Sequence, residues 1–387
     1  MESSFILTSA GQEEVVELAD QQKELQKKVP EKKIIEKKVT GKRVTEHCHS
    51  GRHSLPLRVG TRASPLALKQ TRLFLEMLTR FCPVLRDAGA FQEFPIYTTG
   101  DQVQNRRLAE IGGKGLFAKE IHEALLDGRI DFAVHSLKDL ETTLPPGVVL
   151  ACTLPREDAR DALIVAPHLM TTLTDLTLTD LEDPYSVLPQ GALIGCSSVR
   201  RQAQLLHVRP DLNFGLLRGN VQTRLKKLGD QLCEATLLAF AGLKRLSLTD
   251  RVSVVLDPTV MVPAAGQGII GVTVREDDDE LRELLAAIED YEARSVATAE
   301  RALLKELDGS CRTPIGGYAR FIHPEGEQAP EDSSPDYSPE VHLTGLVARE
   351  DGSFLLKRSI QGKADDAEAL GRELGKSLRR DSPSDIF

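Results

Sequence analysis

From residue 57 onward the chain alternates short apolar runs with amphipathic stretches. The runs LRVG (57–60), IDFAV (130–134), ALIG (192–195), FGLL (214–217) and TLLAF (236–240) each have the length of a buried strand. Each gives way to a polar turn and then to helix-period sequence. After LRVG comes TRASPLALKQTRLFLEML, where Ser64 suits an N-cap and Pro65 the first helical position. HSLKD follows IDFAV, CSSVRRQAQLL follows ALIG, RGNVQTRLKKL follows FGLL, and AGLKRL follows TLLAF. This alternation predicts an α/β architecture with largely parallel sheets.

After residue 290 the pattern changes. YEARSVATAERALLKEL predicts a helix, and VHLTGLVA (341–348) and FLLKRSIQG (354–362) predict two strands of a hairpin across EDGS. A last helix is expected over about 365–380, which makes a small α+β domain. Residues 324–340, PEGEQAPEDSSPDYSPE, read as a flexible Pro- and acid-rich loop. A length of 387 residues suits two or three domains. The expected division is an N-terminal extension at 1–55, disordered or partly helical, then an α/β domain of 56–156 plus 266–286. A second α/β domain covers 157–265, and the α+β domain covers 287–387.

Composition narrows the function classes. A net charge of −9 argues against wholesale nucleic-acid binding, although residues 23–43 are locally basic. No apolar run approaches the ~20 residues that cross a bilayer. Six scattered cysteines without a CxxC pair suit a reducing compartment. His47, Cys48, His49 and His53 lack a second ligand cluster, so no metal site is expected. The extension fits neither a secretory signal nor an acid-poor transit peptide, having nine acidic residues within 1–46. The compartment stays open between cytoplasm and a plastid-type organelle.

The candidate chemistry sits at the C-terminal ends of the predicted strands, where open α/β sheets bind ligands. Arg62, Lys138, Arg200, Arg201, Arg218, Arg224 and Arg245 all fall there or within two turns after. Ser197, Ser198 and Asn220 stand where helix N-termini begin, so backbone N–H groups would face the same ligand. Arginine suits bidentate capture of carboxylates or phosphates. There is no Walker A sequence, and the GxGxxG match at AGQGIIG is followed by β-like sequence, not a helix. The inferred ligand is a polyanion bearing several carboxylates.

Asp139, after the IDFAV strand, would bring a carboxylate into this cationic cleft. It would stay ionised, stabilise a developing cation, or exchange a proton with a nitrogen leaving group. Capping a helix or pairing with Lys138 are its plainer readings. His135 is an alternative acid or base, though after a buried strand it reads as a hydrogen-bonded structural histidine. The glycine-rich start of IGGKGLFAKEIHEALL (111–126), with Lys114 and Phe117, suits a lid entering an amphipathic helix. Cys311, in LDGSCRTPIGGYA, sits in a loop beside Arg312, a setting that favours thiolate and covalent bond formation.

These residues together resemble the porphobilinogen deaminase (hydroxymethylbilane synthase) family. The carrying strings are VGTRASPLAL, TTGD, IGGKGLFAKE, VHSLKDL, CSSVRRQAQL, LRGNVQTRLKKL, AGLKRL, PAAGQGIIGV, TAERALLKELDGSC and PIGGYA, in family order. The resemblance implies two lobes like those of type II periplasmic binding proteins, with the active site between them, and a third domain carrying a cofactor. It implies a dipyrromethane held by Cys311 and a transferase that adds four porphobilinogens head to tail. Each addition loses ammonia through a cationic azafulvene, and water then releases hydroxymethylbilane. Asp139 matches the catalytic aspartate. Arg62, Arg200, Arg201, Arg218, Arg224 and Arg245 match substrate- and cofactor-binding arginines, and Ser136, Lys138, Ser198 and Gln267 match further contacts. Phe117 matches a lid aromatic. A monomer is expected, with product hand-over to uroporphyrinogen-III synthase. Departures are Glu141 where many members have Pro, Cys196 for a common Thr, Asn105 for an acidic residue, and DGSC for GGC. A non-catalytic carboxylate-binding module of periplasmic-binding-protein type is the competing class.

Overall fold

The computed structural model describes residues 53–87, 89–102, 115–170, 183–307, 313–322 and 339–387. Strand β1 (Leu57–Arg62) runs into helix α1 (Pro65–Phe81). The predicted start is observed: Ser64 Oγ accepts from the Ala67 N–H at 3.3 Å, and Pro65 opens the helix. Helix α1 buries Phe74 and Leu78 against the sheet, with the Phe74 ring edge-on to Phe132. Then follow β2 (Phe91–Ile96), α2 (Lys119–Leu126), β3 (Phe132–Ser136) and β4 (Val148–Thr153).

The chain then crosses to a second sheet: β5 (Asp161–Val165), β6 (Leu193–Gly195), α3 (Val199–Val208), β7 (Asn213–Gly215), α4 (Val221–Gly229), β8 (Ala235–Ala239), α5 (Phe240–Arg245) and β9 (Val254–Leu256). It returns through β10 (Ile270–Arg275), which joins the first sheet. The strand orders are β2-β1-β3-β10-β4 and β7-β6-β8-β5-β9. In each sheet four strands run one way and one is reversed, β10 in the first and β5 in the second. Each reversed strand is the first one after a crossing. The expectation of largely parallel sheets therefore holds with one exception per sheet, set by the crossings.

Helix α6 (Asp279–Ala286) leads to α7 (Tyr291–Glu306), and β11 (Ile315–Ile322), β12 (Glu340–Ala348) and β13 (Leu355–Lys363) form an antiparallel meander covered by α7 and α8 (Ala367–Arg380). The hairpin and the last helix match the sequence pattern; β11 does not appear in it. Its Gly316-Gly317 pair reads as a turn, yet the strand packs so closely on Val262 that a Cβ at Gly316 would lie 2.9 Å from Val262 Cγ1. The α/β class with a small α+β domain is as expected. Among the described residues no helix is long and apolar enough to cross a membrane.

Arg156 and Glu300 join the crossings to the third sheet. Glu300, on α7 and fully buried, accepts from the backbone N–H groups of Gly266 and Ala319, each at 2.6 Å. Arg156 Nη1 reaches it at 2.6 Å, while Arg156 Nε donates to the Gln267 carbonyl. Removing one partner strands a buried charge. Arg156→Ala is expected to cost about 3–5 kcal/mol, read as a lowered midpoint in denaturant unfolding. His53 closes the opposite side of the first sheet, where its Nε2 meets Asp278 at 2.8 Å.

Candidate active site

The first turn of α3 places Arg200 and Arg201 side by side in the interior, about 5% and 6% exposed. Both meet Asp161 at the head of β5. Arg201 Nη2 donates to Oδ1 at 2.8 Å, and Arg200 Nη1 lies 2.8 Å from Oδ2. Each is also held by backbone: Arg201 Nη1 donates to the Leu237 carbonyl and Arg200 Nη1 to that of Val262. Burial pushes the Asp161 carboxyl up, but the two guanidiniums outweigh it and hold it well below the usual carboxylate range.

Gln267 ties this cluster to the crossing segment. Its Nε2 donates to Asp161 Oδ1 at 2.9 Å and to the Ala159 carbonyl at 2.6 Å, and its Oε1 accepts from Lys138 Nζ at 3.4 Å. Burial, with Arg201 nearby, brings the Lys138 ammonium down to about 8. Arg224 donates Nε to the Gly219 carbonyl at 2.9 Å, and burial, then Arg201, lowers it to about 10. Arg245 donates to the Gly268 carbonyl at 2.7 Å and is lowered by burial. Lys138, Arg200, Arg201 and Arg224 thus share one field with Asp139 and Asp161. Four cations, Arg200 and Arg201 buried and Lys138 and Arg224 half-buried, face two carboxylates, and desolvated charge in excess calls for a counter-anion.

Asp139 closes a one-turn 3₁₀ segment, Leu137–Asp139, that follows β3 directly. Its Oδ2 accepts from Arg62 Nη1 at 3.1 Å, and its side chain is 29% exposed, open enough to meet a ligand. Arg62 also meets Asp101 and lies over the Phe117 ring, 4.2 Å from its centroid. Gly100 permits this: a Cβ there would fall 2.4 Å from the Phe117 ring. Arg218, arriving from the second sheet and 4% exposed, donates to the Gly100 carbonyl at 2.9 Å. Ser136 Oγ donates to Gln70 Oε1 at 3.0 Å. Ser198 is the N-cap of α3, and its N–H donates to Cys196 Sγ at 3.4 Å.

Two groups therefore form. Arg62, Asp139 and Phe117 meet with Arg218 one residue away at Gly100. Lys138, Arg200, Arg201, Gln267 and, electrostatically, Arg224 make the second. His135 is structural: its Nε2 pairs with Thr273 Oγ1 at 2.9 Å, and burial brings it down to about 3, so it is neutral. Glu141 points at His122, 3.3 Å from Nδ1. Cys311, Lys114, Asn105, most of the 1–55 extension and most of the 324–340 loop lie outside the described residues.

The comparisons with known proteins bear on this arrangement. The model of the family described as "Porphobilinogen deaminase, dipyromethane cofactor binding domain" matches residues 57–283, and that described as "Porphobilinogen deaminase, C-terminal domain" matches residues 295–380. The chain belongs to the porphobilinogen deaminase family. Porphobilinogen deaminase of Paracoccus denitrificans is 45% identical over 332 residues, 86% of this chain and 96% of that protein. The chloroplastic porphobilinogen deaminase of Pisum sativum is 44% identical, over 83% of this chain and 80% of that protein. Among solved structures, a glutathione-bound periplasmic binding protein of Brucella ovis covers 65% of this chain and 68% of its own, at 14% identity and a TM-score of 0.34. That likeness is too slight to weigh on fold or function.

Within this deaminase-family chain, sequence reasoning passed over Asp161, Asp101 and Gln70. Asp101 stands inside TTGD, a string already singled out. Asp161 carried a weaker signal: an acid opening the apolar run DALIV, which normally marks a turn.

Proposed function

We propose that this chain is a hydroxymethylbilane synthase, a transferase that condenses four porphobilinogen molecules head to tail on a dipyrromethane attached through Cys311. The observation that carries this reading is the excess of cations, Arg200 and Arg201 buried and Lys138 and Arg224 half-buried, beside a partly open Asp139. A dipyrromethane bears acetate and propionate groups on each ring, and such carboxylates fit that donor set. When bound, it supplies the pyrrole carbon to which the first substrate unit is joined.

The chain's own residues take distinct roles. Arg200, Arg201, Arg224 and Lys138 hold carboxylates, with Ser198 and Ser136 beside them, and the fully buried Gln267 positions Lys138 and Asp161. Arg62, Arg218 and Arg245 orient the incoming unit. Asp139, paired with Arg62, assists departure of the amine and stabilises the cationic pyrrole left on the substrate. Phe117 covers Arg62 and keeps water from that side. Lobes divided at 156/157 and 265/266, action as a monomer, hand-over to uroporphyrinogen-III synthase and a cytoplasmic or plastid setting belong to the same proposal. Mixing the purified chain with porphobilinogen tests it: hydroxymethylbilane and four ammonia per product are expected, and unchanged porphobilinogen would refute it.

Two further outcomes follow from the charges. Each single change of these arginines to alanine is expected to weaken substrate or cofactor binding by about 1.5–3 kcal/mol, measurable as KM or as loss of bound cofactor. Lys138 is charged below about pH 8 and neutral above it. An anion prefers the charged form, so its binding takes up a proton on the alkaline side. Binding of a dipyrromethane carboxylate beside Lys138 should therefore weaken above about pH 8, read as slower cofactor loading of the cofactor-free chain, and Lys138→Arg should move that loss to higher pH.

A further inference from the structure

The turn Thr98–Asp101 touches an arginine from each sheet. Its Gly100 carbonyl takes Arg218 at 2.9 Å, and Asp101 takes Arg62. The second contact is two-pronged: Arg62 Nη2 to Asp101 Oδ1 at 2.5 Å and Nε to Oδ2 at 3.3 Å. Thr98 Oγ1 donates to Asp101 Oδ2 at 2.8 Å and fixes the carboxylate in that pose. Arg62 Nη1 is left for Asp139, and the Phe117 ring lies against the guanidinium face.

A guanidinium offers a carboxylate paired N–H groups along an edge, and the Nε/Nη2 edge is one such fork. Here a carboxylate of the chain itself lies along it. A substrate carboxylate seeking bidentate capture meets Asp101 as a rival of the same charge and shape.

We propose that Asp101 is a positioning residue that sets substrate affinity by competing with a substrate carboxylate for the Nε/Nη2 edge of Arg62. Binding is then an exchange of carboxylates, and Arg62 keeps its Nη1 contact to Asp139 throughout. Asp101 stays on Thr98 when displaced, so the exchange reverses when the substrate unit moves on. The inference rests on the reading of Arg62 as a substrate-binding arginine.

The test is a double-mutant cycle on the cofactor-loaded full chain. Asp101→Asn keeps the shape and an acceptor but removes the charge. It is expected to lower KM for porphobilinogen by about 2- to 5-fold, the size of one partly exposed charge interaction. Arg62→Gln should raise KM, and Asp101→Asn added to it should then leave KM unmoved. If Arg62→Gln leaves KM unchanged, the role of Arg62 fails and the inference falls with it. If Arg62→Gln raises KM but Asp101→Asn fails to lower it, the inference alone is overturned. A rise in KM with a lower melting temperature in Asp101→Asn would make Asp101 a stabiliser of the turn and also overturn it.

Discussion

Asp139→Ala is expected to lower kcat by about 10³-fold while the chain still folds and still carries its cofactor. The side chain ends a short 3₁₀ turn and is partly open, so little packing is lost with it. Its ion pair with Arg62 is part-exposed and contributes at most about 1 kcal/mol to stability. The large effect lies in the reaction: without the carboxylate, the positive charge developing on the pyrrole faces Arg62 and Lys138 unopposed. Asp139→Asn keeps the shape and loses the charge, so it should fall nearly as far. Steady-state kinetics with circular dichroism on both variants separates this from unfolding. Normal product formation by either variant would sink the assignment.

Cys311→Ala is expected to abolish turnover by a different route, through loss of the covalent anchor. The variant should carry no dipyrrole, and its melting temperature should fall below that of the loaded protein. A ligand whose carboxylates neutralise Lys138, Arg200, Arg201 and Arg224 stabilises the state that binds it. Scanning calorimetry and intact mass on the same sample read both effects. Detection of the adduct on Cys196 would refute the choice of anchor. Cys196 is buried, 6% exposed, beside the N-cap of α3.

Strand ends and helix starts were legible because each rests on a local rule. Ser64 and Asn220 cap their helices as their neighbours predict, each accepting a backbone N–H three residues on. The anion-holding character of Arg200 and Arg201 could be read from their place after an apolar strand. Their protein partner could not. Asp161 reaches them only because β5 is inserted, reversed, between β8 and β9, and a crossing between lobes leaves no local trace. Arg156 and Glu300 were hidden for the same reason: 144 residues separate them. Strand β11 escaped notice because its two glycines answer to close packing, Gly316 on Val262 and Gly317 on Leu303, not to any turn. The pairing of Asp139 with Arg62, in place of its neighbour Lys138, is likewise a tertiary fact, since Lys138 donates to Gln267.

Intact mass of the purified full chain, taken before and after a limiting pulse of porphobilinogen and combined with peptide mapping, separates covalent chain growth on Cys311 from reversible binding. A dipyrrole-sized addition is expected on the peptide containing Cys311, followed by stepwise increments of one pyrrole unit each. An unmodified chain that binds porphobilinogen reversibly, with no covalent increment, would contradict it and leave a carboxylate-binding module in its place.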